Sequence, residues 1–162
     1  MITSNLKVSE QCQLAYLRAN HMLGLVKRTI HHRNPDLLVR LYKSLVRPHL
    51  EYCSPVWSPH YSKDKALLER VQHRFTHLFK NIKDLLYEAR LRNVKLWSLE
   101  DRRNRSDLVE LYKMIHGFSK LPFDQFFTFS SCNATRGQSQ KLAKRHSNTD
   151  IKLYSFSARV NN

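Results

Sequence analysis

The side chains here that could move protons, hold metals or meet phosphates are unequally supplied. Thirteen acids stand against 28 lysines and arginines, with nine histidines and three cysteines beside them. Two-metal phosphoryl transfer needs carboxylates converging on ions about 3.5–4 Å apart. They commonly come from an adjacent Asp pair on a tight strand turn. This sequence has no Asp-Asp pair, and its one adjacent acid pair, Glu100-Asp101, stands at a predicted helix start. A Gly-rich phosphate loop, a Ser-His-Asp arrangement and a nucleophilic cysteine context are missing too. Catalysis by this chain alone is therefore not expected. His73 and His77 lie four residues apart and could share a ligand on a helix. No zincin glutamate and no Cys-x-x-Cys accompany them. Beside Arg70 and Arg74 they suit a phosphate-facing surface better, and neither a metal nor a cofactor is expected. His31-His32, at a helix end, favours the C-terminal dipole.

Charge points to the partner. The 162 residues carry a net charge of +15, with a pI near 10.1. Such an excess concentrates phosphates around a protein and favours nucleic acid or an anionic membrane surface. It is spread along the chain, with +5 in residues 1–60, +5 in 61–130 and +5 in 131–162. The last segment is the shortest, so its charge is densest; its polarity suits a flexible, phosphate-tracking arm.

Cys12, Cys53 and Cys132 are odd in number and widely spaced, which fits a reducing compartment and no disulfide framework. Met1 to Lys7 contains no apolar run of the signal-peptide kind. No stretch approaches the roughly 18 apolar residues of a membrane span. The expectation is an intracellular protein, nuclear or cytoplasmic, without a membrane or small-molecule partner.

The elements that must position these residues are helices. Only three glycines and long apolar stripes of helical period argue against a β-sandwich or an α/β sheet. From Ser9, Ala15, Ala19, Met22, Leu23, Val26 and Ile30 recur at threes and fours. Leu14, Leu17 and Leu25 lie off that face. Asn34-Pro35-Asp36 combines a cap, a first-turn proline and an acid at the positive helix end. The helix it opens sets Leu38, Leu41 and Leu45 on one side and Arg40, Lys43 and Arg47 on another. Pro48 should stop or kink it and push Arg47 out of helical geometry. Tyr52, Val56 and Trp57 are expected as buried anchors of a loop bracketed by Pro55 and Pro59.

A third helix from Ser62 turns Leu67, Leu68, Val71, Phe75 and Leu78 inward, with Arg70, Arg74 and His77 outward. Asp84 to Arg92 reads as a short helix. Ser98-Leu99-Glu100-Asp101 resembles a capping box, and its helix runs past Leu108, Leu111, Tyr112 and Ile115 to Gly117, a left-handed stop. Arg102, Arg103 and Arg105 load its first turns against the dipole. Two explanations stand side by side: phosphate contacts, or pairing with Glu100, Asp101 and Asp107. Leu121–Phe129 forms an aromatic cluster, and residues 131–149 read as a linker. Ile151, Leu153, Phe156 and Val160 form a last short amphipathic piece. For Trp57, Trp97, Phe75, Tyr87 and Tyr112, core packing is preferred to base stacking. The resulting expectation is a mainly α fold, a small helical bundle with a basic, partly disordered tail. Residues 1–8 form a lead-in, 9–130 the helical domain and 131–162 the tail.

Several ordered blocks resemble the region after the polymerase palm in reverse transcriptases of LINE-type, jockey-like retrotransposons. They are Leu41-Tyr42-Lys43-Ser44-Leu45-Val46-Arg47-Pro48-His49-Leu50-Glu51-Tyr52-Cys53 with Ser54 to Pro59, Ala19 to Arg28, Leu68 to Arg74, Ser98-Leu99-Glu100 with Arg102-Arg103, Arg105 and Asp107-Leu108, Thr135-Arg136-Gly137, and Phe156 to Val160. Val8, Phe75 and Lys95 depart from the family's usual residue types. The resemblance implies a helical thumb that grips the template–primer duplex through its backbone. The catalytic Asp pair and its Mg ions would belong to a palm upstream of Met1, itself a further partner. Candidate backbone contacts are Arg40, Lys43 and Arg47, then Arg70 and Arg74, with Arg102, Arg103 and Arg105 as a third cluster. Two other readings remain open here: a standalone basic RNA- or DNA-binding module, and a retrotransposon remnant without a function.

Overall fold

Helix after helix follows along the chain. The computed structural model describes residues 8–30, 34–130, 141–144 and 146–161. His31-His32, Cys132 and the Thr135-Arg136-Gly137 block lie outside these residues. The order is α1 (Ser9–Thr29), α2 (Pro35–Leu41), a π-helical turn (Tyr42–Val46), α3 (Pro48–Glu51), α4 (Ser54–Trp57), α5 (Ser62–Thr76), α6 (Tyr87–Asn93), α7 (Leu99–Ile115), α8 (Phe123–Phe126), α9 (Asp150–Leu153) and α10 (Phe156–Val160). Among the described residues there is no strand, only an isolated antiparallel bridge between Phe129 and Leu142. The fold is mainly α, as its sequence period predicts. It divides into two compact units, Met1–Arg103 and Asn104–Asn162.

In the first unit α1 packs chiefly on α5. Its buried face is Cys12, Ala15, Ala19, Leu23 and Val26, steps of three and four that keep one stripe inward. Small residues at 15 and 19 let the facing helix approach closely. From α5, Leu68, Val71 and Phe75 fill the other side. Ser9 Oγ donates to Asp64 Oδ2 at 2.6 Å and ties the two helix starts together. Leu14 and Leu17, off the inward face, are 39% and 53% exposed.

The second helix starts as read. Asn34 Oδ1 accepts from the Asp36 amide at 2.9 Å, and Pro35 occupies the first turn. Its continuation differs from the expectation. After Leu41 the helix widens into the π turn, in which the Arg47 amide donates to Tyr42 O at 2.9 Å. The extra residue rotates the inward face. Leu38, Tyr42, Val46 and Leu50 are buried, whereas Leu41 is half-buried and Leu45 is exposed. Arg47 also keeps helical geometry (φ −59, ψ −36). Pro48 begins α3, where an amide proton has no intrahelical acceptor and its loss is harmless.

The loop after α3 reverses part of the expected packing. Trp57 is buried and its indole N–H donates to Tyr52 O at 2.7 Å, but Tyr52 and Val56 side chains are 77% and 67% exposed. The helical turn α4 holds the backbone, so those two side chains are not needed as anchors. Trp97 and Tyr112 are likewise more than half exposed, against the preference for core packing. The short helix α6 starts at Tyr87, three residues later than read; turns occupy the preceding stretch.

A buried polar network holds the centre of this unit. The Tyr42 hydroxyl donates to Gln72 Oε1 at 2.8 Å, and the Tyr42 ring stacks on Phe75 at 4.2 Å. Gln72 Nε2 donates to Trp97 O at 2.9 Å and to Tyr87 Oη at 3.2 Å. The Tyr87 hydroxyl in turn donates to Glu69 Oε1. Glu69 accepts from the Leu99 amide at 3.1 Å, so a carboxylate from α5 caps the first turn of α7. Beside it Ser98 caps the helix, which is half of the box: the Asp101 amide donates to Ser98 Oγ at 3.1 Å, while Asp101 Oδ2 accepts from the Ser98 hydroxyl at 2.6 Å.

In the second unit, Gly117 (φ +70) ends α7 in left-handed geometry, as expected. Phe123 stacks on Phe129 at 4.6 Å, and Phe127 meets Phe156 edge-on at 5.7 Å. Ser130 N donates to Lys141 O at 2.7 Å, and Arg159 Nε to Asp107 Oδ2 at 3.0 Å.

Candidate nucleic-acid interface

The expected contact residues fall into three different environments. Arg40, at the end of α2, and Lys43, in the π turn, are exposed, and neither forms an ion pair among the described residues. Arg47, the third of that stripe, is half-buried. The widened turn brings its Nε to 3.5 Å from Glu51 Oε2, one helical turn away.

The α7 arginines separate further. Arg102 donates through Nε to Glu51 Oε1 and through Nη2 to Glu51 Oε2, the latter at 3.0 Å. Neither sequence-level explanation named this partner, which lies 51 residues away. The bond to Glu51 raises the guanidinium's proton affinity further. Glu51 is thus shared by Arg47 and Arg102, and its single negative charge leaves the trio positive. Arg103 is only 2% exposed, which removes it from the surface set. Its inward position follows from the helix phase, since Leu99 and Arg103 are four residues apart on one face. Burial lowers its proton affinity, and nearby Glu69 offsets this most. Its Nη1 and Nη2 have no hydrogen-bond partner among the described residues. Arg105 is exposed and lies in the second unit.

Arg70 and Arg74 of α5, with His77 just after its end, are exposed, as read. Arg74 is more than a free cation. Its Nη1 donates to Asn20 Oδ1 of α1 at 3.0 Å, and its guanidinium lies 5.8 Å from the Tyr16 ring centroid. It therefore joins the outer faces of α1 and α5. On the α1 side lie His21, Lys27 and Arg28, all exposed and none in an ion pair among the described residues. These three, with Asn20, were missed as site residues, although His21 and Arg28 stand seven apart and Lys27 beside them.

Of the two histidines, His73 serves packing, whereas His77 is exposed. The His73 ring stacks on Tyr87 at 3.5 Å, and its Nδ1 lies 3.4 Å from Arg90 Nη2. Burial first, then the cations Arg90 and His77, hold the His73 imidazole below its ordinary proton affinity. Among the described residues no three His, Cys, Asp or Glu side chains converge as metal ligands. The described helices include none long and apolar enough to cross a membrane.

An open recess of about 940 Å³ lies among α5, α6 and the start of α7. Two ion pairs line it: Lys65 Nζ is 2.7 Å from Glu100 Oε1, and Arg92 Nη2 is 3.7 Å from Glu88 Oε2, while the buried Arg103 lies in the same wall. Glu69 fills the helix-start position that an outside anion would seek. Burial raises its carboxyl above the ordinary range, partly offset by the bonds from Tyr87 and the Leu99 amide. Among the described residues, exposed cations of α1, α2, the π turn and α5 stand open to a polyanion. Compared with known proteins, the chain matches no family model, no curated protein and no solved structure.

Proposed function

We propose that the chain is the thumb-containing, C-terminal segment of a LINE-type RNA-directed DNA polymerase. It grips a template–primer duplex through its phosphates and performs no chemistry by itself. The observation that carries the reading is the basic surface of α1 and α5, joined where Arg74 meets Asn20. Lys27, Arg28 and Arg70 extend it without acid partners among the described residues, and Arg40 and Lys43 stand on the neighbouring helical segment. Cations on rigid helices suit backbone positioning, which sets register without reading bases. An RNA–DNA hybrid would be held by its shape and its sugar hydroxyls across the shallow groove. Mg ions and the catalytic Asp pair belong, on this reading, to a separate palm.

The test is competition between an RNA–DNA hybrid and single strands of the same sequence, across a salt series. A hybrid preference is expected. An Arg40→Ala/Lys43→Ala variant should lose about 2 from the slope of log K against log salt, from two phosphates. Equal affinity for every polyanion, unchanged in that variant, refutes the thumb reading.

A further inference from the structure

Helix α1 carries a gap in its outer surface at Gly24. A glycine inside a helix costs up to about 1 kcal/mol relative to alanine, so its presence asks for a steric reason. None lies within the described chain. A Cβ built on Gly24 would meet nothing within 4 Å. The backbone is helical there, so no left-handed conformation requires glycine either. What the missing side chain leaves is an open recess of about 480 Å³, lined by Asn20, His21, Gly24, Lys27 and Arg28.

The lining is chemically one-sided. It contains no acid, and it offers three basic side chains and one amide. Asn20 Oδ1 is held by Arg74 Nη1, which fixes the amide plane. Its Nδ2 is buried and has no hydrogen-bond partner among the described residues. With no accessible area, that N–H2 does not open into the recess, whose charged lining is His21, Lys27 and Arg28. A glycine gap lets a ligand's backbone come close to the helix axis.

We propose that the Gly24 recess seats one backbone phosphodiester of the bound nucleic acid. Its oxygens meet the exposed Lys27 and Arg28 side chains, which supply the neutralising charge. The proposal rests on the duplex-binding reading and makes it specific: the strand crosses α1 at Gly24. The nucleic-acid backbone is favoured over a free anion because the recess is open and continuous with the Arg74 side of α5, where the strand can run on.

The test fills the recess without changing charge. Gly24→Leu is expected to weaken hybrid binding about tenfold, the loss of one charge-assisted contact, and to lower the salt slope by about 1. Its melting temperature should stay at or above that of the wild type. Gly24→Ala, which adds only a methyl and favours helix, guards against misfolding and should show a smaller loss in the same direction. Wild-type affinity and slope in folded Gly24→Leu would overturn the seat and leave the duplex reading standing. Absence of hybrid binding by the wild-type protein would overturn both. Competition by inorganic phosphate at matched ionic strength, lost in Gly24→Leu, would mark a free-anion site and overturn the backbone seat.

Discussion

Replacing Lys95 by glycine should stabilise the protein, although it removes a whole side chain. Lys95 is held at φ +52, just after α6. Its amide donates to Arg92 O at 3.2 Å, and the next amide, of Leu96, donates to Leu91 O at 2.9 Å. These paired bonds close the helix only if the residue between them is left-handed. Leu91 and Leu96 are both buried, so the apolar contact that accompanies such an ending is in place. A side chain in this conformation costs about 1–2 kcal/mol. Glycine removes that cost but loses about 0.5–1 kcal/mol through its freer unfolded chain. The net gain is about 0.5–1 kcal/mol. At roughly 2–4 °C per kcal/mol for a chain of this size, the melting temperature should rise about 1–4 °C by far-UV circular dichroism. Lys95→Ala is the control: it removes the charge, keeps the Cβ and should show no such rise. A glycine variant melting at or below wild type refutes the reasoning. So does an alanine variant that matches its gain.

Glu51→Gln should release Arg47 and Arg102 from their shared acid, tightening nucleic-acid binding and steepening the salt slope by about 1–2; an unchanged slope would mean neither arginine reaches phosphate. Tyr42→Phe should cost about 1–3 kcal/mol in chemical denaturation, because Gln72 Oε1 loses its donor inside a dry core, and a neutral result would show that water reaches the site. Burial pushes the Cys12 thiol up to about 12, so in a Cys132→Ser background a thiol reagent should label exposed Cys53 at once and Cys12 only after unfolding. Rapid labelling of two thiols would contradict the packing of α1. The His73 imidazole is depressed in the folded state, so its contribution to stability is present above its ordinary pKa of 6.5 and lost as pH falls through the folded value. Glu69, raised by burial, works in the opposite direction and loses its contribution as pH rises through its folded value. Comparing wild type with His73→Phe at pH 5.5 and 7.5 isolates the histidine: the acid-induced drop in melting temperature should be smaller in the variant, and an equal drop would exclude it.

The long helices were legible because their burial is periodic. Cys12 apart, the inward residues of α1 lie within the expected stripe, and both the Asn34-Pro35-Asp36 start and the Ser98 side-chain cap form as local chemistry requires. The π turn was missed, yet it left a trace. Leu38, Tyr42, Val46 and Leu50 are spaced by fours throughout, which in an α-helix drifts by about 40° per step. Only a widened turn keeps such a series on one face. The α7 arginines failed for a different reason. Spacing along a helix names acids three or four residues away, whereas Glu51 reaches Arg102 through the tertiary fold. The α1 basic residues were readable but were passed over, because the apolar face of that helix was the stronger signal.

That widened turn also bears on how the gene for this chain can change length. Lys43, Ser44 and Leu45 all face outward, so removing Lys43 or Ser44 would shorten the segment without taking a residue from the core. The buried series would then step by four, three and four, the ordinary rhythm of an α-helix. Codons 43 and 44 are thus a place where a three-nucleotide deletion leaves the reading frame and the packing intact. Among descendants of a common ancestor, a one-residue gap at this point would mark the loss or gain of the π turn and nothing more drastic.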